Sequence, residues 1–171
     1  EIVEIFSNEH PDLQIKLFKE RPNTFPKGVS GSRNYGISQA KGSWIVLLDS
    51  DDLFHPQKLD FLKSLISETT NEVIHHAPSN FEDGQSVNFT PFQNQTDVVT
   101  ENITPKLIFK NFVNTSSVAF KKTLFDSIGG FNTELHGVED YYMWLNMSKL
   151  VNWTYSTQAL TAYRVRTNSL M

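Results

Sequence analysis

The chain has 171 residues, 39% of them hydrophobic and 20% charged, with 13 Phe, enough to build one domain with a sizeable core and too patterned for a disordered chain. Lys and Arg number 15 against 19 Asp and Glu, a net charge of −4, which argues against a general nucleic-acid binder but leaves room for cations focused on one phosphate group. Cysteine is absent, so disulfides, thiolate metal sites and thiol nucleophiles are excluded, and no apolar run approaches the roughly 18 residues that span a bilayer.

In chain order, Ile2, Val3, Ile5 and Phe6 share a helical face that ends at His10-Pro11. A chain that opens at Glu1 inside such a pattern is expected to be part of a longer protein. Leu13, Ile15 and Leu17 alternate with Gln14 and Lys16, which predicts a strand over Leu13–Phe18. A loop with Pro22, Pro26 and Gly28 leads to a predicted helix over Ser32–Ala40, closed by Gly42. Ser43–Leu48 is a continuous apolar run rich in β-formers, the signature of a strand buried on both faces.

A helix is predicted over His55–Ile66, with Pro56 in its first turn. Asp83-Gly84 between Glu72–Phe81 and Ser86–Phe92 predicts a β-hairpin. Thr104–Asn111 reads as a helix, Ser116–Phe120 as a strand, and Lys122–Ile128 as a short helix closed by Gly129-Gly130. Val138–Leu150 is a further helix, and Asn152–Tyr155 and Leu160–Val165 are strands. Strands interleaved with helices predict a single α/β domain over 1–171 with a mixed, mostly parallel sheet flanked by helices.

Two acidic clusters carry the chemistry. Trp44-Ile45-Val46-Leu47-Leu48 runs directly into Asp49-Ser50-Asp51-Asp52, which puts three carboxylates at the carboxyl end of a buried strand, where open α/β sheets hold ligands. Like charges this close are unfavourable unless a cation neutralises them, and hard oxygens on a tight turn suit Mg²⁺ or Mn²⁺. A solvated turn capping the next helix is the plainer account. An EF-hand starting at Asp49 fails, because Phe54 and Asp60 stand where Gly and Glu are required. An Asp-dependent phosphotransferase of the haloacid-dehalogenase type also carries Asp-x-Asp after a strand and stays open as an alternative. The second cluster is Glu139-Asp140 at the start of a helix, behind the loop Gly129 to Gly137; helix-capping acids occur there for dipole reasons alone.

Taken together, the segments resemble a family 2 glycosyltransferase with the GT-A fold, from about Gly28 to Ser169. The resemblance rests on Gly31-Ser32-Arg33-Asn34-Tyr35-Gly36-Ile37, Ala40-Lys41-Gly42, Leu48-Asp49-Ser50-Asp51-Asp52 and Pro56-Gln57-Lys58-Leu59. It continues with Gly129-Gly130-Phe131, Glu139-Asp140-Tyr141, Trp144-Leu145, Tyr163-Arg164-Val165-Arg166 and Asn168-Ser169. It implies transfer of a sugar from a nucleotide-diphosphate donor, a UDP-sugar by preference, to a saccharide or lipid-linked saccharide acceptor hydroxyl, with inversion.

By that resemblance Asp51, assisted by Asp49, holds Mn²⁺ or Mg²⁺ on the diphosphate. Asp140 is the catalytic base, Glu139 orients it or the acceptor, and Arg33 lies near the nucleotide phosphates, with Asn34 structural. Arg166 stands where many relatives carry His, and its guanidinium suits the diphosphate. The family's opening strands, which grip the nucleoside, have no counterpart here, so the chain alone is expected to bind donor poorly. The processive Gln-x-x-Arg-Trp signature is absent, which favours addition of one sugar at a time. The implied location is cytoplasmic or peripheral at the inner membrane face, within polysaccharide or glycolipid synthesis. A non-catalytic sugar- or nucleotide-binding module of the same fold is the alternative.

Other features carry less. His75-His76 in a strand points its rings to opposite faces, which disfavours a shared metal. His136 is a loop residue beside the candidate base, and Trp144 a core residue on the helix of Asp140. Asn-x-Ser/Thr triplets start at Asn88, Asn94, Asn102, Asn114, Asn146 and Asn152, frequent enough in an Asn-rich chain to arise by chance. The poorly patterned stretch Phe89–Ile103 is a candidate acceptor-selecting loop.

Overall fold

A computed structural model describes residues 2–87, 89 and 97–165. Its elements in chain order are α1 (Ile2–Glu9), α2 (Val29–Gln39), β1 (Trp44–Val46), β2 (Leu53–Phe54), α3 (Lys58–Glu68), β3 (Val73–Glu82), β4 (Val98–Glu101) and α4 (Thr104–Phe109). A 3-10 turn (Thr115–Ser117), β5 (Val118–Lys121), α5 (Lys122–Ile128), α6 (Glu139–Leu150) and β6 (Trp153–Val165) complete the described chain.

The strands form one sheet in the order β1-β5-β3-β6-β2, with β4 paired to β6. Side chains alternate across a strand, and the core divides accordingly. Ile45, Val73, Val118 and Phe120 point to one face, where they meet Ile37, Leu124, Phe125, Phe131, Met143, Trp144, Met147 and Trp153. Ile74 and Ala119 point to the other, against Leu62 and Leu65 of α3, with Trp44, Val46, Phe61 and Ile66 packed beside them. Helices thus cover both faces, and β1 is apolar throughout because each of its faces has a core to meet. On the first face Phe120, Phe125, Phe131, Trp144 and Trp153 form a chain of ring contacts at centroid separations of 5.7 to 6.3 Å.

The expected α/β architecture holds, but the sheet is mixed without being mostly parallel. β3 runs parallel to β6, whereas β1–β5, β2–β6, β3–β5 and β4–β6 are antiparallel. Alternating strands and helices imply parallel crossovers only if each helix returns the chain to the starting end of the sheet, and the α4 connection from β3 to β5 does not.

Leu13–Phe18 is not a strand, because no described strand lies beside it to complete its hydrogen bonds, and Leu13, Leu17 and Phe18 remain exposed. The Asp83-Gly84 turn forms, with Gly84 at φ 81° and Gln85 N–H donating to Glu82 O. No hairpin follows through the described residues: β3 takes β5 and β6 as partners instead, and positions 88 and 90–92 of the predicted return strand lie outside the described residues. The two predicted C-terminal strands merge into β6, which stays in register with β3 on either side of a shift at His76/Pro78. In the Phe89–Ile103 stretch, Val98–Glu101 forms β4; positions 90–96 lie outside the described residues. His75 and His76 do face opposite ways: His75 contacts the rings of Trp153, Tyr155 and Phe112, while His76 approaches Thr161.

Candidate active site

Three segments converge beyond the carboxyl end of β1. The first is α2, which opens after Gly28 (φ 109°). A Cβ on Gly31 would stand 1.8 Å from Pro26 O, so only glycine lets this turn of the helix pack against the preceding loop. Arg33 is held over the Phe131 ring at 5.4 Å. Asn34 fixes the helix to the same loop, donating from Nδ2 to Phe131 O at 2.8 Å and accepting Phe131 N–H at 2.8 Å. Its expected structural role matches this paired geometry.

The second segment is the acidic turn. Asp49 N–H donates to Ser116 Oγ at 2.9 Å, and Asp52 N–H closes the turn onto Asp49 O at 3.1 Å. Asp49 and Asp51 line the cavity. Asp52 is buried: its Oδ1 accepts Arg164 N–H at 3.1 Å, and among the described residues its Oδ2 has no hydrogen-bond partner. Burial pushes the Asp52 carboxyl up, and the neighbouring charges of Asp49 and Asp51 add to this against the Ser116 hydroxyl and Arg164 N–H. Arg164 Nε also donates to Asp51 O at 3.0 Å, so β6 clamps the turn.

The third is the start of α6. Glu139 and Asp140 occupy its first turn, after Gly137 at φ 77°. Asp140 Oδ2 accepts from Thr115 Oγ1 at 3.0 Å and Oδ1 from Tyr141 N–H at 2.6 Å. Burial raises the Asp140 pKa above the ordinary 3.8; Tyr141 N–H, the Thr115 hydroxyl and Arg33 oppose the rise, and Glu139 adds to it.

Arg33 joins the two acidic segments. Nη2 donates to Asp49 Oδ1 at 2.7 Å and Nη1 to Glu139 Oε1 at 3.4 Å, spanning 106 positions of sequence between Arg33 and Glu139. The sequence-predicted residues Arg33, Asp49, Asp51 and Glu139 therefore share one open cavity of about 610 Å³, with Gly28, Val29, Ser32, Leu48 and Ser50. Asp140 lies deeper, turned to Thr115. It still faces the same field: the Tyr163 hydroxyl is pushed up by burial and then by Asp52, Asp51, Asp49 and Asp140. Arg166 lies outside the described residues, as do Asn168 and Ser169.

No group of three or more His, Asp or Glu among the described residues is arranged to hold a metal ion by itself. Mg²⁺ and Mn²⁺ at phosphate sites draw on one or two protein carboxylates and complete their shell with phosphate oxygens and water. Asp49 and Asp51, two hard oxygen donors on one cavity wall, fit that requirement.

Residues that motif reading passed over are Thr115, Ser116, Lys58, Tyr163 and Arg164. Lys58, Tyr163 and Arg164 stand inside segments that carry the family resemblance, though with no role attached. Lys58 falls on the helix face of Leu62 and Leu65, a signal outweighed by the ordinary exposure of lysine, whereas nothing local marks a strand arginine as a clamp on a turn 113 positions away.

Comparison with known proteins agrees with this geometry. The model of glycosyl transferase family 2 matches residues 1–124, and the chain belongs to that family. An uncharacterized glycosyltransferase of Haemophilus influenzae is 32% identical over 122 residues, covering 70% of this chain and 40% of the relative. The Escherichia coli protein named UDP-Glc:alpha-D-GlcNAc-diphosphoundecaprenol beta-1,3-glucosyltransferase WfgD is 26% identical over 144 residues, covering 82% of this chain and 51% of the relative. Among solved structures, S. aureus TarS 1–349 in complex with UDP-GlcNAc superposes with a TM-score of 0.71 at 19% identity, covering 98% of this chain and 47% of that one. That likeness shows the GT-A-type fold; the chain spans about half the length of these proteins. Among the described residues no helix is long and apolar enough to cross a membrane.

Proposed function

We propose that this chain carries the catalytic centre of an inverting, metal-dependent glycosyltransferase. It would move one sugar at a time from a nucleotide-diphosphate donor to an acceptor hydroxyl. The observation that carries the reading is the Arg33 bridge, which sets Asp49 and Glu139 on one cavity. The UDP-GlcNAc bound to the TarS neighbour and the UDP-Glc in the name of the Escherichia coli relative support a UDP-sugar donor. The diphosphoundecaprenol in that name supports a saccharide on a lipid diphosphate as acceptor.

In this reading Asp51 and Asp49 hold Mn²⁺ or Mg²⁺, which when bound stabilises the negative charge left on the departing diphosphate. Arg33 stands beside them as a fork for phosphate oxygens. Asp140 accepts the proton of the acceptor hydroxyl as that oxygen attacks the anomeric carbon, and the sugar–phosphate bond breaks on the opposite face, which inverts the centre. A carboxylate made more basic by burial and fixed by Thr115 and Tyr141 N–H is suited to this step. Glu139, partly buried beside it with Oε2 lacking a partner among the described residues, is placed to orient Asp140 or an acceptor hydroxyl.

Asp140→Asn tests the reading directly. Measured on the full-length protein, transfer of labelled sugar from UDP-sugar to a saccharide acceptor should fall below about 1% of wild type, while donor affinity by calorimetry changes less than about twofold. Transfer at a comparable rate would remove Asp140 as the base. Phosphate release with an acylphosphate on Asp49 or Asp51 would favour the phosphotransferase instead.

A further inference from the structure

Lys58 opens α3 and is fully buried beneath the acidic turn. Its Nζ donates to Ser116 O and, at 3.0 Å, to Thr161 Oγ1, and stands 3.5 Å from the centre of the Phe54 ring. Thr161 Oγ1 donates to the same Ser116 carbonyl at 2.9 Å, and His76 Nε2 lies 3.5 Å from Thr161 Oγ1. A buried lysine head is expensive, and the chemistry described above does not use it. The molecule nevertheless spends two donors on one carbonyl, in the 3-10 turn just before β5 registers with the sheet.

That turn touches both walls of the cleft. The Ser116 hydroxyl receives Asp49 N–H at 2.9 Å, which fixes the start of the acidic turn. The neighbouring Thr115 hydroxyl donates to Asp140 Oδ2 at 3.0 Å, which fixes the candidate base. Displacing the Ser116 carbonyl by a few tenths of an ångström therefore moves one hydroxyl on each wall. An amine donates N–H bonds whether or not it carries a proton, so the anchor holds in both charge states.

We propose that Lys58 is a positioning residue: by holding the Ser116 carbonyl it sets the Thr115-Ser116 pair, and through that pair the placement of Asp140 relative to Asp49. The kinetic part rests on Asp140 being the base; the structural coupling from Lys58 to Asp140 does not.

The test uses Lys58→Met, Lys58→Gln, Thr115→Val and the Lys58→Met/Thr115→Val double variant, with Asp140→Asn as reference. Two quantities are read: kcat and KM for UDP-sugar, and the titration of the Asp140 carboxyl by carbon NMR, assigned by its loss in Asp140→Asn. Arg33, Glu139 and Tyr163 also face this carboxyl and are unchanged throughout. Lys58→Met and Thr115→Val should each lower kcat about tenfold with donor KM within about twofold, the scale of one lost hydrogen bond. Both should move the Asp140 titration to higher pH, because each removes the Thr115 donor from the ionised form.

The double variant should be no worse than either single one, since both cut the same link. Lys58→Gln, whose amide can still donate to the Ser116 carbonyl, should recover most of the loss; it also carries the test should the Met variant fail to fold. A Lys58→Met variant that folds and leaves the Asp140 titration unmoved would overturn the proposal, as would a Lys58→Gln variant that loses as much as Thr115→Val, or losses that multiply in the double variant. If Asp140→Asn keeps transfer while Lys58→Met and Thr115→Val still shift the titration together, the base assignment fails and the positioning role stands.

Discussion

Replacing Arg33 by Met keeps an unbranched stem over Phe131 and deletes the guanidinium fork. The two arms differ in worth. The Asp49 arm is short, 2.7 Å, but its carboxylate is 35% exposed and screened, so it contributes about 0.5 kcal/mol. The Glu139 arm is longer, 3.4 Å, yet Glu139 is only 12% exposed, and its Oε2 already lacks a partner among the described residues. Stranding that carboxylate costs about 1–3 kcal/mol. The sum, about 1.5–3.5 kcal/mol, corresponds to a fall in Tm of about 3–14 °C for a chain of this size. Thermal unfolding followed by circular dichroism reads it, at low salt and in 0.5 M NaCl. The loss should largely survive salt, because the larger share comes from the more buried carboxylate. Glu139→Gln in the Met background should recover more than half of it by removing the stranded charge. A Tm within about 1 °C of wild type, or a loss abolished by salt, would show that Arg33 does not hold the two walls together.

Three further outcomes follow from the same contacts. Because burial raises Asp140 above the usual carboxylate range, the acid limb of kcat/KM should lie above the ordinary Asp value of 3.8, and a limb at or below that value would deny Asp140 the role of base. Lys58 is lowered by burial from 10.5 to about 7, with Asp52 opposing the shift. As pH falls through that window the unfolded chain takes up a proton that the folded chain refuses, so this residue's contribution favours folding less and less, by several kcal/mol in all. The stability difference between wild type and Lys58→Met, measured by urea unfolding, should therefore shift in favour of Met between about pH 10 and pH 7; a flat difference counts against the buried amine. Gly31→Ala should cost more than 2 kcal/mol, since its Cβ would meet backbone rather than a movable side chain, and an unchanged urea midpoint would contradict the close approach to Pro26.

The sequence determined those features whose physical cause is local. Trp44 to Val46 read as a strand covered on both faces, because consecutive apolar residues have no wet side to offer, and Ile45 does meet one core while Trp44 and Val46 meet the other. The strand stops short of Leu47 and Leu48, and Leu48 is exposed on the cavity lining. Helices at α2, α3, α5 and α6 were legible for the same reason, as were the two acidic clusters and the family they mark. Leu13–Phe18 shows the limit of that reading: alternation describes a strand's faces but cannot supply its neighbour.

Tertiary structure decided everything that depends on which neighbour arrives. It set the direction of each pairing, so that β5 returns antiparallel between β1 and β3. It folded Lys58 into the interior: its spacing puts it on the face of Leu62 and Leu65, but only the packed fold supplies the Ser116 carbonyl and Thr161 hydroxyl that let a lysine sit there. It also brought Arg33 between Asp49 and Glu139 and turned Asp140 to Thr115. These contacts bridge from 16 to 106 positions of chain, and no periodicity within a single helix or strand encodes them. They exist because the two apolar faces of the sheet must both be covered, and covering them draws the polar ends of β1, α2 and α6 to one side of the molecule.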